Sequence, residues 1–218
     1  MKLGYCPVGN GSSIAPFDAL FEDKVDISKS IEGVDAVVFW GGTDIHPSLY
    51  NEELNIHSQA SKSGPSQRDL FEWQAMNYCK LNKIPMIGVC RGAQLMTAFV
   101  GGTLIQHVNG HHNEHTMTTD QGEVLSTTSC HHQMMYPFGV EHKMLAWSTQ
   151  SRSTVYLNGE NKSVDKMYLK GVVEPEVVYY PQVRGLAIQG HPEWALNTPF
   201  AEYCNGLIEE LLIPSMVS

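Results

Sequence analysis

This sequence has no C-x-x-C cysteine pair and few basic residues. The 5 cysteines include no C-x-x-C pair, so a disulfide framework and a thiolate zinc site are both poorly supported. The 14 lysines and arginines are outnumbered by 23 acidic residues, and the net charge of -9 disfavours binding to nucleic acid, whose phosphates need clustered cations. We therefore expect a small-molecule ligand and a reducing, cytoplasmic location.

Long apolar runs are also lacking. Residues 1–11 contain one lysine and no apolar run of the length that a signal peptide needs, and no segment approaches the length of a membrane span. This pattern predicts a protein without membrane contact. The 218 residues suffice for one α/β domain, and we expect a single domain over 1–218 because a second catalytic domain would not fit.

Short buried runs alternate with amphipathic patterns along the chain. Buried strands are predicted at 35–40, 84–89 and 186–189. Helices are predicted from a capping box at Ser66 to about Asn82, over 93–100, and after a cap at Thr198. Strands are also expected within 103–182, where the pattern does not place them. The alternation predicts an α/β fold with a mostly parallel central sheet flanked by helices.

One cysteine stands between a predicted strand and a predicted helix. Gly88-Val89-Cys90-Arg91-Gly92 has the G-x-nucleophile-x-G layout, in which glycines relieve crowding at a strained turn that exposes the nucleophile. The helix behind Cys90 points its positive end at the sulfur, which favours the thiolate. An ordinary buried cysteine is the alternative interpretation, and the flanking glycines argue against it.

A base for this thiol is predicted after the last strand. His191 follows a strand end, where α/β sheets place their ligand crevices. Glu193 lies two residues further on, so in an extended stretch stiffened by Pro192 its carboxylate can orient the imidazole. The tripeptide alone is weak evidence, because His-Pro pairs are common in turns.

Acyl transfer also needs donors for an oxyanion. The backbone N–H of Arg91, directly after the nucleophile, is one candidate. Gly41 and Gly42, which end the strand at 35–40, are candidates for the second donor. The same glycines also fit a simple strand-ending turn, and both interpretations can hold together.

Six segments of the chain resemble the class I glutamine amidotransferases, most closely the gamma-glutamyl hydrolase branch of cysteine peptidases. They are GGTDIHPSLY at 41–50, RDLFEWQAM at 68–76, IPMIGVCRGAQLM at 84–96, GGTLIQH at 101–107, SCHHQ at 129–133 and GLAIQGHPEW at 185–194. They occur in the family's order and span nearly the whole chain. The resemblance implies a flavodoxin-like fold with a nucleophile elbow.

The same resemblance implies roles for individual residues. It gives the nucleophile, base and orienting acid at Cys90, His191 and Glu193, and an oxyanion hole at Gly42 and Arg91. The residues that it implies for substrate binding are Gly41, Thr43, Gln94, Ser129, His131, His132 and Gln133. For His131 and His132, the alternative is that they are surface residues without a ligand.

Two departures from the family pattern bear on specificity. The residue before the catalytic histidine is usually aromatic, whereas here it is Gly190, which predicts a wider or more flexible pocket beside His191. The stretch 149–178 lacks the aspartate-glycine pattern of the gamma-glutamyl hydrolase branch. Substrate specificity carried by that stretch therefore stays open.

Two polar segments fall outside the triad. Residues 55–66 form the best candidate for a mobile loop that could cover a site. Residues 106–115 are rich in histidine, and ligands at i, i+4 spacing could bind a metal. These candidates are His107, His111, His112, Glu114 and His115. Because Asn109-Gly110 indicates a loop, solvated or substrate-facing histidines are favoured and no metal is expected.

These patterns predict a free-standing cysteine hydrolase that cleaves a gamma-glutamyl amide through a thioester. The alternative is a glutaminase subunit that delivers ammonia to a separate synthetase, and a silent binding or regulatory protein is a third possibility. No cofactor is expected. The expected ligand is a small gamma-glutamyl compound, and the sequence leaves a synthetase partner and a homodimer open.

Overall fold

Thirteen strands lie within residues 1–7, 14–162 and 173–213, the part of the chain that the computed structural model describes, and nine of them form one sheet. The strands are β1 (Lys2–Tyr5), β2 (Asp23–Asp26), β3 (Ala36–Phe39), β4 (Met86–Val89), β5 (Thr103–Ile105), β6 (His107–Val108), β7 (His115–Thr119), β8 (Val124–Thr127), β9 (Met134–Tyr136), β10 (Lys143–Ser148), β11 (Tyr156–Leu157), β12 (Pro175–Tyr180) and β13 (Gly185–Ile188). Outside the nine-stranded sheet, β5 pairs with β9 and β6 with β11. The helices are α1 (Gln67–Asn82), α2 (Arg91–Phe99) and α3 (Pro199–Leu211).

The main sheet has the order β2-β1-β3-β4-β13-β12-β10-β7-β8. Neighbours from β2 to β13 are parallel, and those from β13 to β8 are antiparallel. The predicted α/β fold with a mostly parallel central sheet is confirmed, and its three predicted strands are the adjacent β3, β4 and β13. The antiparallel half comes mainly from 103–182, where the sequence pattern placed no strand.

The helix boundaries follow from local capping. Asp69 N–H donates to Ser66 Oγ at 3.1 Å and Ser66 N–H donates to Asp69 Oδ2 at 2.8 Å, which completes the predicted capping box of α1. The helix ends at Asn82, as predicted, and Lys83 follows in the left-handed conformation. The second helix begins at Arg91, two residues before its predicted start, so its first turn lies directly against Cys90.

Alternating side chains of the central strands pack on opposite faces of the sheet. In β3, Val38 faces the cluster that includes Phe200 of α3, whereas Val37 and Phe39 face the cluster that includes Met76 of α1. With both faces covered, polar side chains can gather only at the strand ends. No helix in the described ranges is long and apolar enough to cross a membrane.

Candidate active site

Cys90 occupies a strained turn at the carboxyl end of β4. Its backbone has φ 50° and ψ -107°, outside the helical region, and α2 begins at the next residue. A β-carbon on Gly88 would lie 2.6 Å from the Gly92 carbonyl oxygen, and one on Gly92 would collide with the Phe39 carbonyl. The turn therefore closes only with glycine on both sides of the cysteine, which is the geometry of a nucleophile elbow.

His191 and Glu193 follow the strand next to the elbow. Because β13 runs parallel to β4 with Ile188 opposite Val89, the two strands release Cys90 and His191 at the same edge of the sheet. His191 Nδ1 lies 2.8 Å from Glu193 Oε1. This contact occupies one ring nitrogen and leaves Nε2 as the nitrogen that can exchange a proton with another group.

Two further residues hold His191, one at its backbone and one at its ring. Thr128 Oγ1 accepts a hydrogen bond from His191 N–H at 3.0 Å and donates one to its carbonyl at 2.7 Å, so the backbone of His191 is fixed. The Trp194 ring stacks on the imidazole with 3.7 Å between centroids and 3° between planes. The sequence analysis missed both residues. The aromatic residue after H-P-E was a readable signal for Trp194, whereas Thr128 had none.

Gly41 separates the cysteine from the histidine without a side chain. A β-carbon placed on Gly41 would lie 3.1 Å from Cε1 of His191 and 3.6 Å from Cβ of Cys90. The two side chains therefore flank the same point at the end of β3. This brings together the nucleophile and base candidates, which are 101 residues apart in the sequence.

Burial opposes ionisation of the Cys90 thiol, whereas the sequence predicts that the helix behind it favours the thiolate. Its side chain is buried, and burial raises the pKa of Cys90 to about 12, despite a hydrogen bond from the Arg91 backbone N–H that lowers it. A helix terminus contributes about 0.3–1 kcal/mol, which is less than about one pKa unit. Burial therefore outweighs the helix, and a base must take the proton as the sulfur attacks.

Arg68 orients the peptide group between Gly41 and Gly42. Its guanidinium donates to the Gly41 carbonyl at 3.1 Å and to the Trp40 carbonyl at 2.8 Å. The peptide bond is trans, so the Gly42 N–H points away from the carbonyl that Arg68 holds. A β-carbon on Gly42 would collide with Arg68, which explains the glycine at this position.

The side chain of Arg91 points away from the thiol into a buried ion network. It contacts Asp69 at 2.5 Å and also Glu72, whose other oxygen accepts from Arg68 Nε at 2.9 Å. The predicted oxyanion role of Arg91 rests on its backbone N–H alone. Its guanidinium instead ties α2 to α1, and through Glu72 it is linked to the arginine that holds the end of β3.

A cavity of ≈ 200 Å³ opens beside Cys90. Its lining residues are Gly42, Asp44, Gln59, Cys90, Gln94, His112, Cys130, His131, His132 and Gln133. Five predicted substrate-binding or oxyanion residues are therefore brought to one pocket, namely Gly42, Gln94, His131, His132 and Gln133. Asp44, which the sequence analysis did not assign, accepts from His132 Nε2 at 3.0 Å and from Gln59 N–H at 2.8 Å.

Three predicted substrate-binding residues do not line this cavity. Gly41 lies behind it, between Cys90 and His191. Thr43 is exposed. Ser129 is buried, and its hydroxyl donates to the His111 carbonyl at 2.9 Å, so it anchors the loop rather than facing the pocket. The family motif located the segment correctly but did not distinguish lining residues from anchoring residues.

The pocket is not widened at Gly190. A β-carbon there would collide with Thr127 Oγ1 and lie 2.8 Å from the Thr128 carbonyl and 3.0 Å from Cζ of Phe200. The prediction of a wider pocket is wrong because neighbouring groups already fill this space. The segment at 55–66 is anchored at its start, where the side-chain amide of buried Asn55 donates a hydrogen bond to the Asn158 carbonyl at 2.7 Å.

The histidine run at 106–115 divides between the surface and the interior. His107 stacks on His57 with 4.0 Å between ring centroids, and His112 is exposed at the pocket. His111 and His115 are buried, so the expectation of solvated or substrate-facing rings is wrong for these two. Their acidic partners, Glu174 and Glu176, lie much further along the sequence. A readable signal was the two glutamates in an otherwise apolar strand.

The elbow, the histidine-glutamate pair and the sheet define a class I glutamine amidotransferase-like fold. A solved glutamine amidotransferase from Thermotoga maritima aligns over 99% of this chain and 90% of its own, with a TM-score of 0.58 and 13% identity, which shows the fold alone. The profile of the peptidase C26 family matches residues 15–193. This chain belongs to the peptidase C26 family.

Two curated relatives match over shorter segments. A putative glutamine amidotransferase-like protein of Lactococcus lactis subsp. cremoris is 42% identical over 88 residues, which are 40% of this chain and 45% of that protein. The gamma-glutamyl-CDP-amidate hydrolase of Campylobacter jejuni is 34% identical over 76 residues, 35% of this chain and 32% of that protein. The matched segments span less than half the length of either relative.

Proposed function

We propose that this protein is a cysteine hydrolase that cleaves a gamma-glutamyl amide through a thioester on Cys90. The observation that carries the proposal is the position of Gly41, which lets Cys90 and His191 flank one point while Glu193 occupies the far nitrogen of the imidazole. Family membership supports hydrolase or amidotransferase chemistry. The choice of a gamma-glutamyl substrate is our inference.

The first half-reaction forms the thioester. His191 Nε2 takes the thiol proton as the sulfur of Cys90 attacks the amide carbonyl carbon, and the carbonyl oxygen becomes an oxyanion. The N–H groups of Arg91 and Gly42 are the proposed donors to this oxyanion. The imidazolium of His191 then protonates the leaving nitrogen, the C–N bond breaks, and ammonia or an amine departs.

The second half-reaction returns the free protein. A water molecule attacks the thioester carbonyl while His191 takes one of its protons, and the C–S bond breaks to give glutamate and the Cys90 thiol. Glu193 keeps its contact with Nδ1 of His191 throughout. It holds the tautomer with the proton on Nδ1 and stabilises the imidazolium that forms twice in each cycle.

The lining of the cavity supports a small, zwitterionic acyl group. Gln133 is buried, and its side-chain oxygen and nitrogen have no hydrogen-bond partner in the described part of the chain. A buried amide left unpaired costs about 1–3 kcal/mol, so a ligand that supplies both an acceptor and a donor would bind favourably there. The α-carboxylate and α-ammonium groups of a gamma-glutamyl moiety are such a pair.

The test is release of glutamate by the purified protein alone. Glutamine and a panel of gamma-glutamyl amines are incubated with the protein, and glutamate and ammonia are measured. Cys90→Ser should abolish release, whereas Cys130→Ser, which alters the exposed cysteine of the same pocket, should retain it. Release that survives in Cys90→Ser, or no release from any member of the panel, would overturn the proposal of a free-standing hydrolase.

A glutaminase subunit is the second candidate. The observation that favours it is the glutamine amidotransferase-like description of the Lactococcus relative. It predicts slow release of ammonia from glutamine by the protein alone and strong activation when a synthetase is added. A protein that is fully active on a gamma-glutamyl amine, and not activated by cell fractions, would exclude this candidate.

A further inference from the structure

Five ionisable side chains are buried together next to the loop that carries His131 and Gln133. His111 and His131 come from loops, and His115 begins β7. Glu174 directly precedes β12, and Glu176 is its second residue. Each side chain is at most 6% exposed. The rings of His111 and His131 lie 4.5 Å apart between centroids. No step of the proposed reaction uses any of these five side chains.

Each of three members has one outer atom fixed by a partner. His131 Nδ1 lies 2.8 Å from the Gln133 carbonyl, which makes this nitrogen the protonated one. Glu176 Oε1 lies 2.7 Å from His115 Nε2. His111 Nε2 lies 3.3 Å from Glu174 Oε2, which is an ion-pair contact without hydrogen-bond geometry.

Glu174 is itself held as a carboxylate. It accepts hydrogen bonds from the N–H groups of Arg152 and Ser153 at 2.9 Å each and from the Tyr156 hydroxyl at 2.6 Å. Three donors on one carboxylate favour its ionised form. The imidazole of His111 therefore has the Glu174 carboxylate on its Nε2 side, and its Nδ1 faces away from that carboxylate.

The inner atoms of the same three members lack partners. Nε2 of His131, Nδ1 of His111 and Oε2 of Glu176 are buried and have no hydrogen bond within the described residues. One ligand atom from each of the three residues can be chosen so that all lie within 4.8 Å of one another. Of the two Glu176 oxygens, Oε1 lies 3.9 Å from Nδ1 of His111. Unpaired buried acceptors are costly unless a cation or donor lies beside them.

We propose that His111, His131 and Glu176 bind one divalent cation of the zinc class. Two imidazoles and one carboxylate form a nitrogen-rich donor set that suits zinc better than magnesium or calcium. Histidine ligands usually donate their second ring N–H to a carbonyl or carboxylate. His131 has such a partner in the Gln133 carbonyl, and the Glu174 carboxylate lies 3.3 Å from Nε2 of His111. A cation would also balance the charges of Glu174 and Glu176.

The location gives the site a structural role beside the pocket. His131 also lines the cavity next to Cys90, and its N–H donates to the His111 carbonyl at 2.9 Å. A cation bound by both rings would fix the loop that carries Gln133. The inference goes beyond the proposed hydrolase function and does not depend on it, because no step of the reaction passes through the cation.

The experiment measures metal binding in a protein that cannot turn over. The full chain without an affinity tag carries Cys90→Ser and Cys130→Ser, which remove both pocket thiols as ligands. It is treated with a chelator and titrated with Zn²⁺ by calorimetry. One equivalent should bind. Co²⁺, used as a coloured substitute, should give the visible absorption of a four- or five-coordinate site. No stoichiometric binding, or only the spectrum of hydrated Co²⁺, would overturn the proposal.

Matched variants locate the binding. Glu176→Gln keeps the shape of the ligand and should weaken Zn²⁺ binding by more than about 10-fold, as should His131→Ala, with circular dichroism used to check that each variant is folded. His142→Ala removes another histidine whose Nδ1 contacts a carbonyl at 2.8 Å, and should bind normally. His107→Ala tests the ring pair at the surface. Binding lost in His107→Ala but kept in Glu176→Gln would refute the buried site.

Discussion

Arg68 Nη1 donates a hydrogen bond to the carbonyl oxygen of Gly41 at 3.1 Å. Its other terminal nitrogen donates to the Trp40 carbonyl, so one guanidinium fixes the carbonyl groups of two consecutive residues after β3. Because a lysine offers a single charged nitrogen, it cannot replace this two-pronged contact. The orientation of the Gly42 N–H, the proposed second oxyanion donor, therefore depends on a side chain from α1.

The first prediction concerns this contact. Arg68→Lys should lower kcat for the best substrate, by up to the about 10²–10³ that loss of one oxyanion donor costs, with a much smaller change in KM. Arg184→Lys is the matched control, because Arg184 also bonds two backbone carbonyls, those of Lys83 and Leu212, in another part of the structure. Equal kinetic losses in both variants would contradict a specific role of Arg68.

The second prediction separates base from orienting acid. His191→Ala should lower kcat more than Glu193→Gln, because the first removes the proton acceptor and the second removes only the group that holds its tautomer. The loss in Glu193→Gln should still be at least about 10². Steady-state rates are compared with those of Glu209→Gln, which changes an exposed carboxylate and should match the parent protein. A silent Glu193→Gln variant would remove Glu193 from the mechanism.

The third prediction follows from the buried thiol. Burial raises the pKa of Cys90 to about 12, so the thiolate is the minor form at neutral pH and its fraction increases with pH. Alkylation of Cys90 by iodoacetamide should accelerate about tenfold per pH unit from pH 7 to 9. The measurement uses Cys130→Ser so that the exposed cysteine does not react. A rate that is already constant across this range would indicate a resting thiolate.

The fourth prediction concerns the glycine before His191. Gly190→Ala should reduce the free energy of unfolding by about 1–3 kcal/mol, because the new methyl group meets Thr127, Thr128 and Phe200. Gly206→Ala is the control. That glycine lies inside α3, and a β-carbon there meets no described atom within 4 Å, so stability should rise by up to about 1 kcal/mol. Urea denaturation measures both, and a neutral Gly190→Ala would contradict the packing described.

The sequence predicted the elements that depend on local signals. The strand before Cys90, the glycines around it and the cap at Ser66 each have a short-range physical cause, so β4, the elbow and α1 lie where expected. The antiparallel half of the sheet was not placed. Its strands pair through contacts between distant segments, such as Glu174–Ser148 and Asp120–Leu145, which local periodicity does not encode.

The structure brings together Cys90, His191 and Glu193, which the sequence singled out, and adds supporting residues that the sequence did not reveal. A nucleophile between glycines is visible in the sequence, whereas the clamp of Thr128 on His191 joins residues that are 63 positions apart. The effect of burial on the thiol was missed for a similar reason. The helix behind Cys90 was readable, but the degree of burial that dominates its pKa depends on the whole fold.

The most direct test of the account is detection of the acyl group on Cys90. The protein is mixed with an equal amount of its best gamma-glutamyl substrate, quenched in acid within milliseconds and examined by mass spectrometry of the intact chain and of its peptides. We predict a transient added mass of one glutamyl acyl group on the peptide that contains Cys90. The added mass should persist in Cys130→Ser and be absent from Cys90→Ser. Turnover without any acyl group on Cys90 would contradict the mechanism.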